Sequence, residues 1–317
     1  MGKEPSFSPD SSIRGVIFNC ESFSLHNGPG IRTTLFLKGC PLRCLWCANP
    51  ESWNMEQEVS CNQELCIREC RECENIAGKG IFERDPEGKI LIAPGISRRD
   101  TNLIATARSC PSRALSVLGS TTTAAEAVDM LLKDRPFFEE SGGGVTISGG
   151  EPLIQPEFTT EILRRLKNRG IHTVLDTCGD AAPEVFKQVS CLADLVLFDV
   201  KAATNELHQA WTGKSNRVIL SNLEQIAAER PEALRIRIPY IPGLNSTDSE
   251  LRAMAKLLNR LDIDRVDLLP YHRLGIQKYR QLGRTYTLAS EQTPDSDSLT
   301  KALQLFSNLG IKAQIEQ

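Results

Sequence analysis

Cys40, Cys44 and Cys47 stand in one short run, Gly39-Cys-Pro-Leu-Arg-Cys-Leu-Trp-Cys-Ala-Asn-Pro50, and no other feature constrains this chain as tightly. A C-x3-C-x2-C loop brings three thiolates together and offers no fourth. Structural zinc sites and electron-transfer clusters close with four protein ligands. A [4Fe-4S] cubane held by three cysteines leaves one iron open, and an open iron can bind and activate a small molecule. The spacing alone also fits a zinc knuckle that borrows a fourth ligand, or buried thiols with no metal.

The other cysteines point the same way. Eleven occur in 317 residues; eight lie between Cys40 and Cys110, one just ahead at Cys20, and later only Cys178 and Cys191. A disulfide scaffold spreads its staples, whereas this clustering indicates thiol or metal chemistry in a reducing, cytoplasmic setting. The length allows one large core, or one core plus a small module. Net charge is −3, from 37 basic and 40 acidic residues well mixed along the chain. No basic stripe marks a nucleic-acid partner, and no apolar run is long enough to span a membrane. Residues 1–12 lack the apolar stretch of a signal peptide. They match the loose myristoylation pattern through Gly2 and Ser6, and read as a solvated polar tail.

Outside one insert the pattern is α/β. Apolar runs of strand character cover 13–19, 33–38, 145–148, 173–175, 194–200, 234–239, 266–269 and 311–315. Helical spacing covers 157–167, 183–189, 205–211, 217–229, 248–261 and 298–308. Such alternation predicts a parallel sheet with helices outside. Chemistry in these sheets sits at the carboxyl ends of the strands. Glu151, Asp176-Thr177, Asp199 with Lys201, and His272 all fall at such ends. Each alone reads as a cap or loop residue; together they mark a site.

Residues 53–119 interrupt the alternation and divide the chain into 13–52 plus 120–317 and an insert. The insert carries Cys61, Cys66, Cys70, Cys73 and, in Cys110-Pro, the end of a bacterial ferredoxin motif. In such motifs the last cysteine ligates a cluster with a triplet from elsewhere. Cys66, Cys70, Cys73 and Cys110 are therefore read as ligands of one closed auxiliary [4Fe-4S] cluster. Cys61 competes for a place, because Cys66 and Cys70 are one residue further apart than C-x2-C. A zinc ribbon is the alternative.

Asn27-Gly-Pro-Gly-Ile-Arg32, the cysteine loop, Ser141-Gly-Gly-Gly-Val-Thr-Ile-Ser-Gly-Gly-Glu-Pro152, Asp176-Thr-Cys-Gly, Asp199-Val-Lys and Pro270-Tyr-His occur in this order. Together they resemble the glycyl radical enzyme activating enzymes of the radical S-adenosylmethionine (SAM) superfamily, whose type member activates pyruvate formate-lyase. The resemblance implies a partial, open (β/α)6 barrel, of TIM-like type, with a ferredoxin-like iron–sulfur insert. It implies that Cys40, Cys44 and Cys47 hold the SAM-binding cluster and that Trp46 and Ala48 flank the adenine. Gly150 would meet the methionine amine, and Asp199, Val200 and Lys201 the carboxylate side, with Lys201 offsetting its charge. His272 would touch ribose or adenine.

Further implications are a monovalent cation near Asp176, Thr177 and Asp199, and Arg237 facing the partner's glycyl loop. The partner would be a glycyl radical enzyme, with flavodoxin or ferredoxin as electron donor. The insert is similar to that of choline, isethionate and other C–N or C–S lyase activases and of dehydratase activases. Asn27 stands where the family commonly has Asp, and Cys178 where Asn or Ser is common. Beside this reading stand a radical SAM enzyme acting on a small molecule or RNA base, and a non-catalytic iron–sulfur carrier.

Overall fold

The computed structural model describes residues 13–288 and 292–316, so the polar tail of residues 1–12 lies outside the described residues. Among the described residues no helix is long and apolar enough to cross a membrane. In chain order the strands are β1 (Arg14–Ser24), β2 (Arg32–Leu37), β3 (Glu58–Cys61), β4 (Phe82–Arg84), β5 (Ile90–Ile92) and β6 (Leu115–Leu118). Then come β7 (Ser120–Thr123), β8 (Gly144–Gly149), β9 (His172–Thr177), β10 (Leu195–Asp199), β11 (Leu234–Tyr240), β12 (Arg265–Pro270) and β13 (Lys312–Ile315).

Nine of them form one open sheet in the order β13-β12-β11-β10-β9-β8-β2-β1-β7. From β2 to β13 every neighbouring pair is parallel. β2 and β8–β12 supply the six strands of the partial barrel, and β13 extends its edge. The expectation of a wholly parallel sheet needs one change. β1 runs antiparallel to both β2 and β7, because only a short loop joins β1 to β2, too short for a parallel crossover. A short apolar run carries no direction, so the sequence pattern could not distinguish the two.

The central strands are buried nearly throughout, Val145, Ile147, Val174, Leu175, Val196, Leu197 and Phe198 being inaccessible, as a sheet covered on both faces requires. Helices Pro156–Lys167, Pro183–Ser190 and Asp248–Arg260 cover it, burying Phe158, Phe186 and Met254. Each such side chain contributes about 1.5–3 kcal/mol. The first helix after the insert, Ala124–Leu131, starts in a Thr123/Glu126 capping box, which satisfies two otherwise orphaned N–H groups.

Two of the glycine-rich segments hold the barrel together. A Cβ on Gly30 would stand 2.5 Å from the Gly143 nitrogen, and one on Gly143 would stand 1.9 Å from the Ile31 carbonyl oxygen. The two backbones therefore touch. Arg32, fully buried, donates to Thr146 Oγ1 (2.8 Å), to the Val145 carbonyl (2.6 Å) and to the Pro29 carbonyl (2.9 Å), so its charge is solvated by protein dipoles.

The insert has its own small core of Val59, Cys61, Ile90, Leu103, Ala107 and Leu115. β3 pairs with β6 to close it, and β4 with β5 to form a hairpin. It rests on the barrel through Arg98, which donates to the Gln281 carbonyl at 3.1 Å, and through Ser60, bonded to Gln281 Oε1 at 3.3 Å.

Candidate active site

The carboxyl ends of the barrel strands surround a cavity of about 570 Å³. Cys40, Cys44, Cys47, Trp46, Ala48, Gly150, Asp176, Thr177, Asp199, Lys201, Arg237 and His272 all line it. Val200 does not; its side chain is buried and its N–H donates to the Arg237 carbonyl at 2.9 Å.

Backbone contacts place the cysteine loop. Arg43 and Leu45 N–H groups donate to the carbonyls of Thr212 (2.8 Å) and Trp211 (3.0 Å), and Cys40 N–H donates to that of Trp53 (3.3 Å). The Arg43 guanidinium donates to the carbonyls of Cys40 (2.6 Å) and Leu42 (2.7 Å). The loop lies directly on the Gly149-Gly150 turn: a Cβ on Gly150 would stand 2.3 Å from the Gly39 carbonyl oxygen. Gly149 itself has φ +123°, which strains any side-chain-bearing residue. The second glycine pair therefore makes room for the first cysteine.

Beside the thiols lies a charge network. Arg237 bridges Asp176 and Asp199, its Nε donating to Asp199 Oδ1 at 2.9 Å. Lys201 Nζ is 3.0 Å from Asp199 Oδ2, and Ser148 donates to Asp176 Oδ2 at 2.7 Å. Burial disfavours charge on Asp199, yet Arg237 and Lys201 outweigh it and hold the carboxyl below its ordinary pKa. Burial likewise opposes the Lys201 charge, and Asp199 with the nearby thiols reverses that and raises its pKa. Burial pushes Asp176 up, against the pull of Arg237. Arg237 places a positive charge between the two aspartates near which a monovalent cation is expected from the sequence. Thr177 points elsewhere, donating to Glu151 Oε1 at 2.6 Å.

Burial also raises the cysteines, Cys44 to about 12 with Lys201 opposing. Metal ligation needs thiolates, so loading this loop releases protons. Cys178 packs with Leu42 and Cys44 as a small apolar group, and its N–H donates to Glu151 Oε2 at 2.8 Å. Three loop thiols on the wall of a cavity this size suit a three-cysteine [4Fe-4S] cluster with one exchangeable position. The insert differs. Cys66, Cys70, Cys73 and Cys110 line a small pocket walled by Ile67, Ile90, Pro111 and Leu115, which suits a fully ligated cluster. Cys61 is outside that lining, buried with its thiol 3.7 Å from the Ile90 carbonyl.

The pattern of a 4Fe-4S single cluster domain matches residues 26–83, and that of the radical SAM superfamily matches residues 110–258. The isethionate sulfite-lyase activating enzyme of Oleidesulfovibrio alaskensis is 40% identical over 279 residues, covering 87% of this chain and 89% of that one. This chain belongs to the radical SAM activating enzymes of glycyl radical enzymes. The trans-4-hydroxy-L-proline dehydratase activating enzyme of Clostridioides difficile is 38% identical over 295 residues, 92% of this chain and 95% of that one. A radical SAM methyltransferase from Sphaerobacter thermophilus shares the fold, with TM-score 0.50 and 18% identity over 62% of this chain and 58% of that one.

An activating enzyme of this family needs SAM, an iron–sulfur cluster and a glycyl radical enzyme to act on. Reading the sequence alone left out several cavity residues. Glu316 lines the cavity, and its Oε2 is 4.0 Å from Arg237 Nη1. It follows β13 directly, so the strand-end rule extended to the last strand would have found it. His26 also lines the cavity, beside Asn27 of the Asn-Gly-Pro-Gly motif, from a loop before the first parallel strand that the rule does not reach.

Proposed function

We propose that this activating enzyme serves a glycyl radical lyase that breaks a C–S bond of a small sulfonate, and that the insert carries an auxiliary [4Fe-4S] cluster. The observation that carries the site assignment is the shared cavity: three thiols, Gly150 and the Asp199–Lys201 pair open into one space. Relatives named for isethionate sulfite-lyase support the choice of partner.

When bound, the cluster supplies the electron that splits SAM into methionine and a 5′-deoxyadenosyl radical, which takes hydrogen from a partner glycine. The chain's own residues position and shield. Lys201, held by Asp199 at 3.0 Å, would offset the charge of the methionine carboxylate. Gly150 leaves space for the amine beside Cys40. Trp46, held edge-on by Trp211 at 6.4 Å, and His272 flank the nucleoside. Fixing these groups in advance turns a chance encounter into an intramolecular step. Arg237, on the cavity wall and bridged to Asp176 and Asp199, would be the residue on the side of the partner's glycyl loop. Cys66, Cys70, Cys73 and Cys110 would hold the auxiliary cluster, which would supply an electron relay from flavodoxin or ferredoxin in a cytoplasmic setting.

The test is anaerobic activation of purified isethionate sulfite-lyase, choline lyase and hydroxyproline dehydratase by the reconstituted, reduced chain with SAM. A glycyl radical signal by electron paramagnetic resonance (EPR), with matching 5′-deoxyadenosine, is expected with the first. A signal only with another partner overturns the sulfonate assignment, and no SAM cleavage with any overturns the site.

A further inference from the structure

Between the pairs Glu21–Thr34 and Ser24–Arg32, β1 takes three steps against two on β2, so it carries a bulge. Phe23, inside that bulge, has φ +61°, a left-handed conformation that strains a residue bearing a side chain. Burial does not offset the strain, because the ring is 52% exposed. It meets Phe137 edge-on at 4.7 Å; Phe137 lies on the helix Arg135–Ser141 and is itself 43% exposed. Leu25, just beyond the bulge, is 63% exposed. Large apolar side chains gathered in solvent around a strained backbone mark an interaction site.

The patch leads directly into the cavity. His26 and Asn27, next in the chain, line it. Asn27 is fixed there, its Nδ2 donating to Thr34 Oγ1 at 3.1 Å and its carbonyl accepting from Thr146 Oγ1 at 2.7 Å. The helix that carries Phe137 is tied to the same loop, since Ile31 N–H donates to Ser141 Oγ at 2.9 Å. Patch and cavity wall are therefore one piece. Leu274, 80% exposed, lines the same cavity from the segment after β12. Its neighbour Gly275 lies against the cysteine loop, where a Cβ would stand 2.9 Å from Ala48 Cα. Leu274 is thus pinned at the backbone while its side chain stays in water. A small substrate has no use for fixed apolar groups outside a cavity. A protein that must deliver a backbone glycine into it does, and anchors set in advance lose little entropy on binding.

We propose that Phe23, Leu25 and Phe137, with Leu274 on the cavity wall, form the docking surface for the folded body of the glycyl radical enzyme, beside the entry of its glycyl loop. The occupant is the protein substrate, because the patch is continuous with the cavity that must receive its glycine. The inference rests on that cavity being the site of SAM cleavage.

The experiment measures 5′-deoxyadenosine formation against the concentration of an intact lyase that wild type activates, and of a short synthetic peptide copying that lyase's glycyl loop. The variants are Phe23→Gly, Phe137→Ser and Leu274→Ser. In the two phenylalanine variants the KM for the lyase is expected to rise about tenfold, as for loss of one interface anchor. Their kcat and their KM for the peptide stay within about twofold of wild type, since neither ring lines the cavity. Leu274→Ser raises the KM for the lyase as well. Phe23→Gly also relieves the left-handed backbone, so its Tm stays at or above that of wild type, whereas loss of a ring needed only for folding lowers it. An unchanged KM for the lyase, or an equal rise for lyase and peptide, overturns the proposal. An unchanged KM with an altered oligomeric state assigns the patch to a second copy of this chain and overturns it too. Wild type that cleaves no SAM overturns the reading of the cavity itself.

Discussion

The cysteine loop of the barrel and the cysteine pocket of the insert set the same side-chain chemistry in opposite surroundings. The loop contributes three thiols to a cavity of about 570 Å³ that also holds Asp176, Asp199, Lys201, Arg237 and Glu316. The insert contributes four thiols to a small pocket whose lining has no charged side chain. An open coordination position is useful only where fixed charges can seize a ligand, and a closed one is safest among apolar walls that keep ligands away. The number of cysteines and the polarity around them carry the same message in each region.

Breaking the loop tests the sharper half of this contrast. Cys44→Ala is expected to abolish SAM cleavage, with 5′-deoxyadenosine falling by roughly a thousandfold or more, since orientation at the open iron accounts for much of the rate. Iron should drop from about eight to about four per chain, as two cubanes become one. Retained cleavage would remove the functional distinction between the regions.

Breaking the pocket should do less. Cys66→Ala is expected to lose the same share of iron while keeping SAM affinity, measured by equilibrium dialysis, and dithionite-driven cleavage within about twofold, because no barrel contact changes. Cleavage driven by flavodoxin should fall about tenfold or more if the insert relays electrons. Near-normal flavodoxin-driven activation would end that role.

The last test concerns a carboxyl on the cavity wall. Burial raises Glu316 to about 7, against the opposing pull of Arg237. A carboxyl raised on folding adds stability below its ordinary pKa, and that contribution is lost as pH climbs through the raised value. Wild type should therefore lose up to about 3 kcal/mol relative to Glu316→Gln between pH 4.5 and 7, read by urea denaturation at each pH. Parallel pH profiles would show that Glu316 is already solvated.

The cysteines and the strand-end groups were legible because spacing alone fixes them: a thiol triplet announces its own geometry, and alternation of strands and helices locates each carboxyl end. The antiparallel course of β1 was not, since apolar runs do not encode direction. Nor was the placement of Arg237, which lies within β11 and reaches two aspartates from neighbouring strands only through parallel register. The stacking of Arg43 and Arg284 on the Trp53 ring, from before it and far beyond it in the chain, is a convergence that only the folded chain displays.

The cysteine loop is suspended from Trp211, Thr212 and Trp53 by main-chain hydrogen bonds, none of which involves sulfur. Small zinc modules collapse when their metal leaves; this loop keeps its shape from the barrel. A molecule stripped of iron by oxygen is thus an empty socket rather than a ruined fold. Once its thiols are reduced, such a loop is expected to take up iron and sulfide again without refolding of the barrel.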